Sequence, residues 1–325
     1  MHRVKGQIGI CATAVATALI FSMLSAFAQP WPQRPVRMIV PIAPGSSPDV
    51  AARVFGEQLG GRLGKAVIVE NRPGADGLIG TAAFAAAQDD HVLLFSFAAP
   101  LSVYPVIQEK LSYDPIRDVL PVSVAVETFG TISVPASLPV TTLRELVAFA
   151  RARPGQLNWS TGGGAFPILM AGFIKAAGVE MAHVPYANQN LAIQDLAEGR
   201  IQVFATPMTA VMPLAQAGKL RVLAVTNKTR SPVWQAIPTV KEAGYPELAF
   251  EGLIGVFAPR DTPGDRRERL AAEIRTIAVD PAVVSRLGAT GQIVRGNTPA
   301  EFAAEIDDQR SRIAAIVKLV GRPKQ

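Results

Sequence analysis

One pattern occurs twice in this chain and narrows its fold more than any other feature: a short apolar strand, a loop of small residues, then a helix with proline near its start. The first copy is VRMIVPIAPGSSPDVAAR, residues 36–53. Residues 36–40 are apolar and rich in β-formers, as a buried strand requires. Residues 41–48 combine Pro, Gly and Ser into a turn. Ser47 suits a helix N-cap, Pro48 the first helical position and Asp49 the first turn, while Val50, Val54 and Leu59 carry the helix into a core. The free N–H groups of a first helical turn, with the positive end of the helix dipole, form a natural anion site. An ordinary strand–helix connection uses the same residues, so both readings stand on this stretch alone.

The second copy is LNWSTGGGAFPILMAGFIK, residues 157–175. Residues 158–161 end a strand, Gly162, Gly163 and Gly164 make a loop, and an apolar helix starts at Phe166 or Pro167. Two such half-sites in two lobes would face one another across a cleft. Three glycines also suit a linker, but an apolar helix following at once argues against a free one.

Between and after these copies the chain alternates strand and helix. Strands are expected at 66–70, 91–97, 122–126, 131–134, 179–186, 202–205, 220–226 and 251–258. Helices are expected at 77–88, from 141, at 191–198, 211–217, 266–279, 282–287 and 299–320. Strand–helix alternation implies an α/β protein with parallel sheet. The runs near Glu127 and Glu251 read as crossings between lobes, giving lobe 1 as residues 29–128 plus 252–325 and lobe 2 as 129–251. Gly74, Gly77 and Gly80 follow a turn rather than a strand, and their spacing matches neither the dinucleotide fingerprint nor the P-loop. They read as turn and packing positions.

Residues 1–28 read as a signal peptide. Arg3 and Lys5 are followed by an apolar stretch closed by Ala26-Phe27-Ala28. The single cysteine, Cys11, falls inside it, so the exported chain has no thiol chemistry. Losing Arg3 and Lys5 lowers the formal charge from +6 to +4. The remaining cations are scattered among acids without interleaved aromatics, which argues against nucleic acid as a partner.

Catalytic constellations are missing. The sequence holds no G-x-S-x-G, no H-E-x-x-H and no C-x-x-C. His91 and His183 sit in strand patterns and read as packed histidines, and Asp89-Asp90 as a solvated turn. An exported, two-lobed chain with Gly-rich loops at helix N-termini reads as a binder rather than an enzyme, with no metal or cofactor. A hydrolase using Ser46 or Ser47 is the weaker reading, since no base accompanies either serine.

The segments WPQRPVRMIVPIAPGSSPDVAARVFGEQLG, VENRPGADGLIG, RDVLPVSV, GQLNWSTGGG, HVPYANQN, LRVLAVTN, RSPVWQAIPTVKEAGYPELAFEGLIGVFAP and TPAEFAAEI occur in this order. Together they resemble the Bug-type extracytoplasmic solute receptors of tripartite tricarboxylate transporters. The resemblance implies a type II periplasmic binding protein fold, α/β, with two lobes and a ligand cleft between them. It also implies a monomer in the periplasm, a small carboxylate ligand, and integral membrane transporter subunits as partners. A receptor that instead serves a signalling partner is the alternative.

Carried over residue by residue, the resemblance places the site at Ile42, Pro44, Gly45, Ser46 and Ser47, then Ala98 and Ala99. In the second lobe it points to Thr161, Gly162, Gly163, Ala165 and Phe166, with Tyr186 and Pro207 nearby. Asp49 and Arg53 match the family's helix start in a structural role. Ser46 replaces the second glycine of the usual P-G-G, Gly164-Ala165-Phe166 the usual Asn-Gly-Ser, and Ala187-Asn188-Gln189 the usual Lys-Gly-Gly. The expected pocket therefore has fewer polar groups and gains a phenyl ring. The Ser46 and Ser47 amides are expected to hold one carboxylate, and the ligand to carry that carboxylate on a hydrophobic or aromatic body.

Overall fold

Apolar runs too short for helices become the centres of two sheets, and the amphipathic runs between them cover the faces. The computed structural model describes residues 31–322. The signal segment read at 1–28 and Cys11 lie outside the described residues. The first half contains β1 (Val36–Val40), α1 (Ser47–Leu63), β2 (Val67–Asn71), α2 (Leu78–Ala86), β3 (Val92–Phe97), two single turns α3 (Ala99–Ser102) and α4 (Tyr104–Ile107), β4 (Val119–Thr128), β5 (Gly130–Pro135) and α5 (Leu143–Arg151). Then follow β6 (Leu157–Thr161), α6 (Phe166–Ala177), β7 (Met181–His183), α7 (Gln189–Ala197), β8 (Val203–Pro207), α8 (Met208–Gln216) and β9 (Leu220–Val225). The chain ends with β10 (Gly252–Pro259), α9 (Gly264–Ala278), α10 (Pro281–Gly288), β11 (Ile293–Val294) and α11 (Pro299–Val320). Among the described residues no helix is long and apolar enough to cross a membrane.

The first sheet has the order β11-β4-β10-β3-β1-β2 and the second β7-β6-β8-β5-β9. β1 runs parallel to β2 and β3, as strand–helix alternation demands. The sheet is nevertheless mixed. β10 returns from far along the chain and inserts antiparallel between β3 and β4. In the second sheet β5 is antiparallel to β8 and β9. Local alternation does not register such returns, because the partner strands lie far apart in sequence.

Successive side chains of β1 serve opposite faces. Met38 and Val40 join Phe55, Leu59, Phe95 and Ile274 under α1 and α9, whereas Ile39 joins Phe84, Leu94, Phe257 and Phe302 under α2 and α11. The second sheet is covered likewise, by α5 and α6 over Ile132, Trp159 and Phe173, and by α7 and α8 over Phe204, Ile193 and Val211. One helix departs from the expected partition. α11 sets Phe302 and Ile306 against the first sheet but Ile313, Ile316 and Val317 against the core of the second. At 1.5 Å per residue its 22 residues extend about 33 Å, and its two ends serve different cores.

The strand expected at 179–186 shortens to β7, three residues. His183 at its end is solvent-exposed rather than enclosed, and its ring lies on Trp159 with centroids 4.3 Å apart. Partial burial there pushes its imidazole below the ordinary value. His91 is buried as expected. Its Nε2 accepts the Gln33 N–H while Nδ1 faces the Asp90 carboxylate.

Candidate functional site

The loop after β1 turns on Asp49. Ser46, not Ser47, is the N-cap of α1, and its hydroxyl donates back to the Ala43 carbonyl. No side chain caps the helix; the loop before it is braced by Asp49, 1% exposed, which accepts from Gly45 N–H at 2.9 Å, Arg53 Nε at 3.0 Å and Asn71 Nδ2 at 2.7 Å. Burial works to raise the Asp49 pKa, but the hydrogen bonds from Asn71, Gly45 and Arg53, with the Arg53 charge, outweigh it and hold the carboxyl below the usual range. The N-terminus of α1 thus already holds an anion, its own.

A depressed folded-state pKa contributes stability above the unfolded carboxyl value of 3.8, and that contribution is lost as pH falls through the folded value. Asp49→Asn turns an amide N–H toward these donors and is expected to cost about 2 kcal/mol at neutral pH. In urea unfolding, the gap between wild type and variant should narrow below pH 3.8. A gap that stays constant with pH would show that Asp49 does not act through its charge.

The second loop behaves differently. α6 begins at Phe166 with no side-chain cap and no acid in its first turn. Gly162 N–H is spent on Ala205 O at 2.8 Å. Among the described residues the Gly163 and Gly164 N–H groups meet no acceptor. Both glycines line a cavity of about 470 Å³ walled by both sheets.

Register explains much of that wall. Ile254 stands opposite Phe97 and Gly252 opposite Thr128 in the first sheet. Gly130 stands opposite Pro207 in the second. The ends of these strands therefore converge where the chain crosses between lobes. Phe97, Phe129, Phe166 and Phe250 supply an aromatic lining, while Ser96, Thr128, Gln189 and Thr226 supply polar groups. A further depression of about 550 Å³ is bounded by the single segment 105–118 and draws nothing from the second sheet.

Of the residues singled out from sequence, Ile42, Ala99, Gly163, Ala165, Phe166 and Pro207 line the cavity. Pro44, Gly45, Ser46 and Ser47 do not line it. The Gly45 and Ser46 N–H groups are turned to Asp49 and Ala43, and Ser47 Oγ accepts from Gln292 Nε2. Neither serine contacts a histidine or carboxylate through its hydroxyl among the described residues, so the nucleophile reading has no base to support it. Ala98 is buried with its N–H on Leu253 O. Thr161 ends β6 beside Ala205, and Gly162 packs behind the wall against Thr206 and Gln189. Tyr186 points away to donate to Asp195 Oδ2 at 2.6 Å, a bond that raises the phenol pKa.

Two groups of lining residues escaped the sequence reading. The crossings Thr128–Gly130 and Phe250–Gly252 form the floor, because a chain passing between lobes must pass under the cleft. The loop at 73–77, read as a plain turn, forms a side wall. It follows the carboxyl end of β2, the place where open α/β sheets bind ligands, and that rule applied to β2 would have found it.

Among the described residues, Asp89, Asp90 and His91 make the one carboxylate–imidazole group close enough to share a metal ion. It lies outside the cavity, and Arg34 and Arg266 pair with its two carboxylates.

Residues 51–322 match the family described as tripartite tricarboxylate transporter family receptor. The chain is 34% identical to BugT of Bordetella pertussis over 325 residues, 99% of this chain and 98% of that protein. The structure of Rpa4515 of Rhodopseudomonas palustris with adipate superposes with a TM-score of 0.78 at 29% identity, covering 90% of this chain and 98% of that one. MatC of Rhodopseudomonas palustris with bound malate does so with a TM-score of 0.74 at 26% identity, covering 88% of this chain and 100% of that one.

Proposed function

The chain belongs to the tripartite tricarboxylate transporter receptor family, a Bug-type solute receptor with the two-lobed α/β fold of its neighbours, and on that premise we propose that it captures a small carboxylate in the inter-lobe cavity. The carrying observation is the contrast between its two helix N-termini. That of α1 carries Asp49 in its first turn, while that of α6 has no acid in its first turn and is preceded by Gly163 and Gly164, which line the cavity and whose N–H groups meet no acceptor among the described residues. The ligand carboxylate sits on the α6 side, and its body lies against Phe166 and the other rings.

In this reading the lobes are residues 29–128 plus 252–325 and residues 129–251. A ligand touching both binds the closed arrangement better and shifts the population toward it. Export by the segment at 1–28 places the receptor in the periplasm, where integral membrane transporter subunits recognise its closed form.

The test is a melting-temperature panel of adipate, malate, citrate, benzoate and branched monocarboxylates. A ligand at a hundredfold its dissociation constant is expected to stabilise by about 2.7 kcal/mol. Phe166→Ala should weaken the apolar-bodied ligands by about 1 kcal/mol through lost ring contacts and leave short dicarboxylates unchanged. If no carboxylate shifts the transition, the receptor reading falls. If only short polar dicarboxylates do so, the apolar-body reading falls.

A further inference from the structure

The cavity of this carboxylate receptor contains one carboxylate of its own. Asp76 is the sole acidic side chain among the lining residues, and no lysine, arginine or histidine lines the cavity beside it. Among the described residues its carboxylate accepts no hydrogen bond and forms no ion pair. Ala75 and Asp76 hold φ of 46° and 51°, a left-handed conformation uncommon outside glycine. Tyr104, whose phenol stays neutral because burial and then the Asp76 charge raise its pKa, donates to the Asp76 carbonyl at 3.2 Å. The loop is thus held in a costly conformation that turns a lone anion into the cleft.

Its position relative to the other half-site is specific. A methyl group built on Gly163 would stand 2.7 Å from both Asp76 carboxylate oxygens. Only a glycine there leaves room for the Asp76 carboxylate beside position 163, in the loop that leads into α6. An isolated ligand carboxylate on the Gly163 and Gly164 amides would face Asp76 as a like charge, in a cavity that ligand binding dries, which is unfavourable. A ligand with a cationic centre on the atom next to its carboxylate reverses the sign, because the amides take the carboxylate and Asp76 the cation.

We propose that the cleft selects α-amino acids with apolar side chains, with Asp76 as the counter-charge for the α-ammonium group and Phe166 and its neighbouring rings as the bed for the side chain. This rests on the carboxylate-receptor reading and names the ligand class of that same site. The short separation between Asp76 and Gly163 requires the ammonium to be α rather than distal.

Calorimetric titration with matched probes tests it. The probes are leucine, its des-amino counterpart 4-methylpentanoate, its isomer 6-aminohexanoate, and phenylalanine with 3-phenylpropanoate. Wild-type protein should bind leucine or phenylalanine about tenfold to a hundredfold more tightly than the des-amino partner, the range of a charge-assisted hydrogen bond, and more tightly than 6-aminohexanoate. Asp76→Asn keeps a residue that tolerates positive φ and should bring the amino to des-amino ratio to about one. The unliganded melting transition of the variant checks its fold. Des-amino probes that bind as well as their partners, a preference that survives in Asp76→Asn, or equal binding of 6-aminohexanoate would each overturn this inference and leave the receptor reading standing. Binding of none of these probes nor of any carboxylate in the melting panel would overturn both.

Discussion

Asn227→Ala is expected to lower the unfolding free energy by about 3–4 kcal/mol, the summed effect of a lost charge-assisted hydrogen bond and a stranded buried donor. Asn227 is fully buried and braces the crossing at 127–130. Its amide nitrogen donates to Glu127 Oε1 at 2.6 Å and to Thr128 O at 3.0 Å, and its carbonyl accepts from Gly130 N–H at 3.3 Å. Alanine leaves the Gly130 N–H without an acceptor directly beneath the ligand cavity. It also removes a donor from Glu127, whose other oxygen is held by Arg295 at 3.1 Å. Denaturant titration at neutral pH reads the loss as a lower midpoint with an unchanged slope. A loss under about 1 kcal/mol, the value of an ordinary exposed hydrogen bond, would show that the crossing at 127–130 does not depend on this residue.

Gly130→Ala is expected to cost about 2–3 kcal/mol, the upper part of the range for overpacking, and to weaken ligand binding at the same time. A Cβ at Gly130 would stand 2.5 Å from Thr226 Oγ1 and 2.8 Å from the Phe166 ring. Thr226 cannot retreat freely, because its hydroxyl donates to Phe250 O at 2.7 Å. The ring that can move is Phe166, and its way out is into the cavity. Stability and affinity should therefore fall together. Gly61→Ala, where an added Cβ meets nothing within 4 Å, is the matched control. It lies inside α1, so the change should be neutral or stabilising by a few tenths of a kcal/mol. An affinity unchanged in Gly130→Ala would separate Phe166 from the ligand wall.

The elements were legible wherever a single stretch of sequence carries its own reason to fold. The run at 36–40 became β1 with its expected ends, and α11 spans 299–320 as its apolar spacing requires. Thr298, Pro299 and Glu301 complete a capping box that marks where α11 starts. Strand–helix alternation sufficed for the α/β class, and the ordered motifs of the whole chain for the receptor family. In all of these the interacting groups lie within a few residues of one another, so periodicity and capping chemistry act before any tertiary contact forms.

The site was less legible because hydrogen-bond donors in a loop do not choose their acceptor locally. The motif at 44–47 has every feature of an anion site, yet its Gly45 and Ser46 amides are taken by Asp49 and Ala43, and Asp49 is itself braced by Asn71 from the neighbouring strand. The loop at 162–164 looks equally like a linker, yet Gly163 and Gly164 line the cavity with N–H groups that meet no acceptor among the described residues. Which loop keeps free donors depends on separations near 3 Å, and those are set by the packing of sheets whose strands are distant in sequence. The placement of Asp76 against Gly163 is the clearest case. Each residue alone reads as part of a turn, and only the meeting of two lobes, with β10 returned between β3 and β4, sets a fixed negative charge beside Gly163 in the loop that leads into α6.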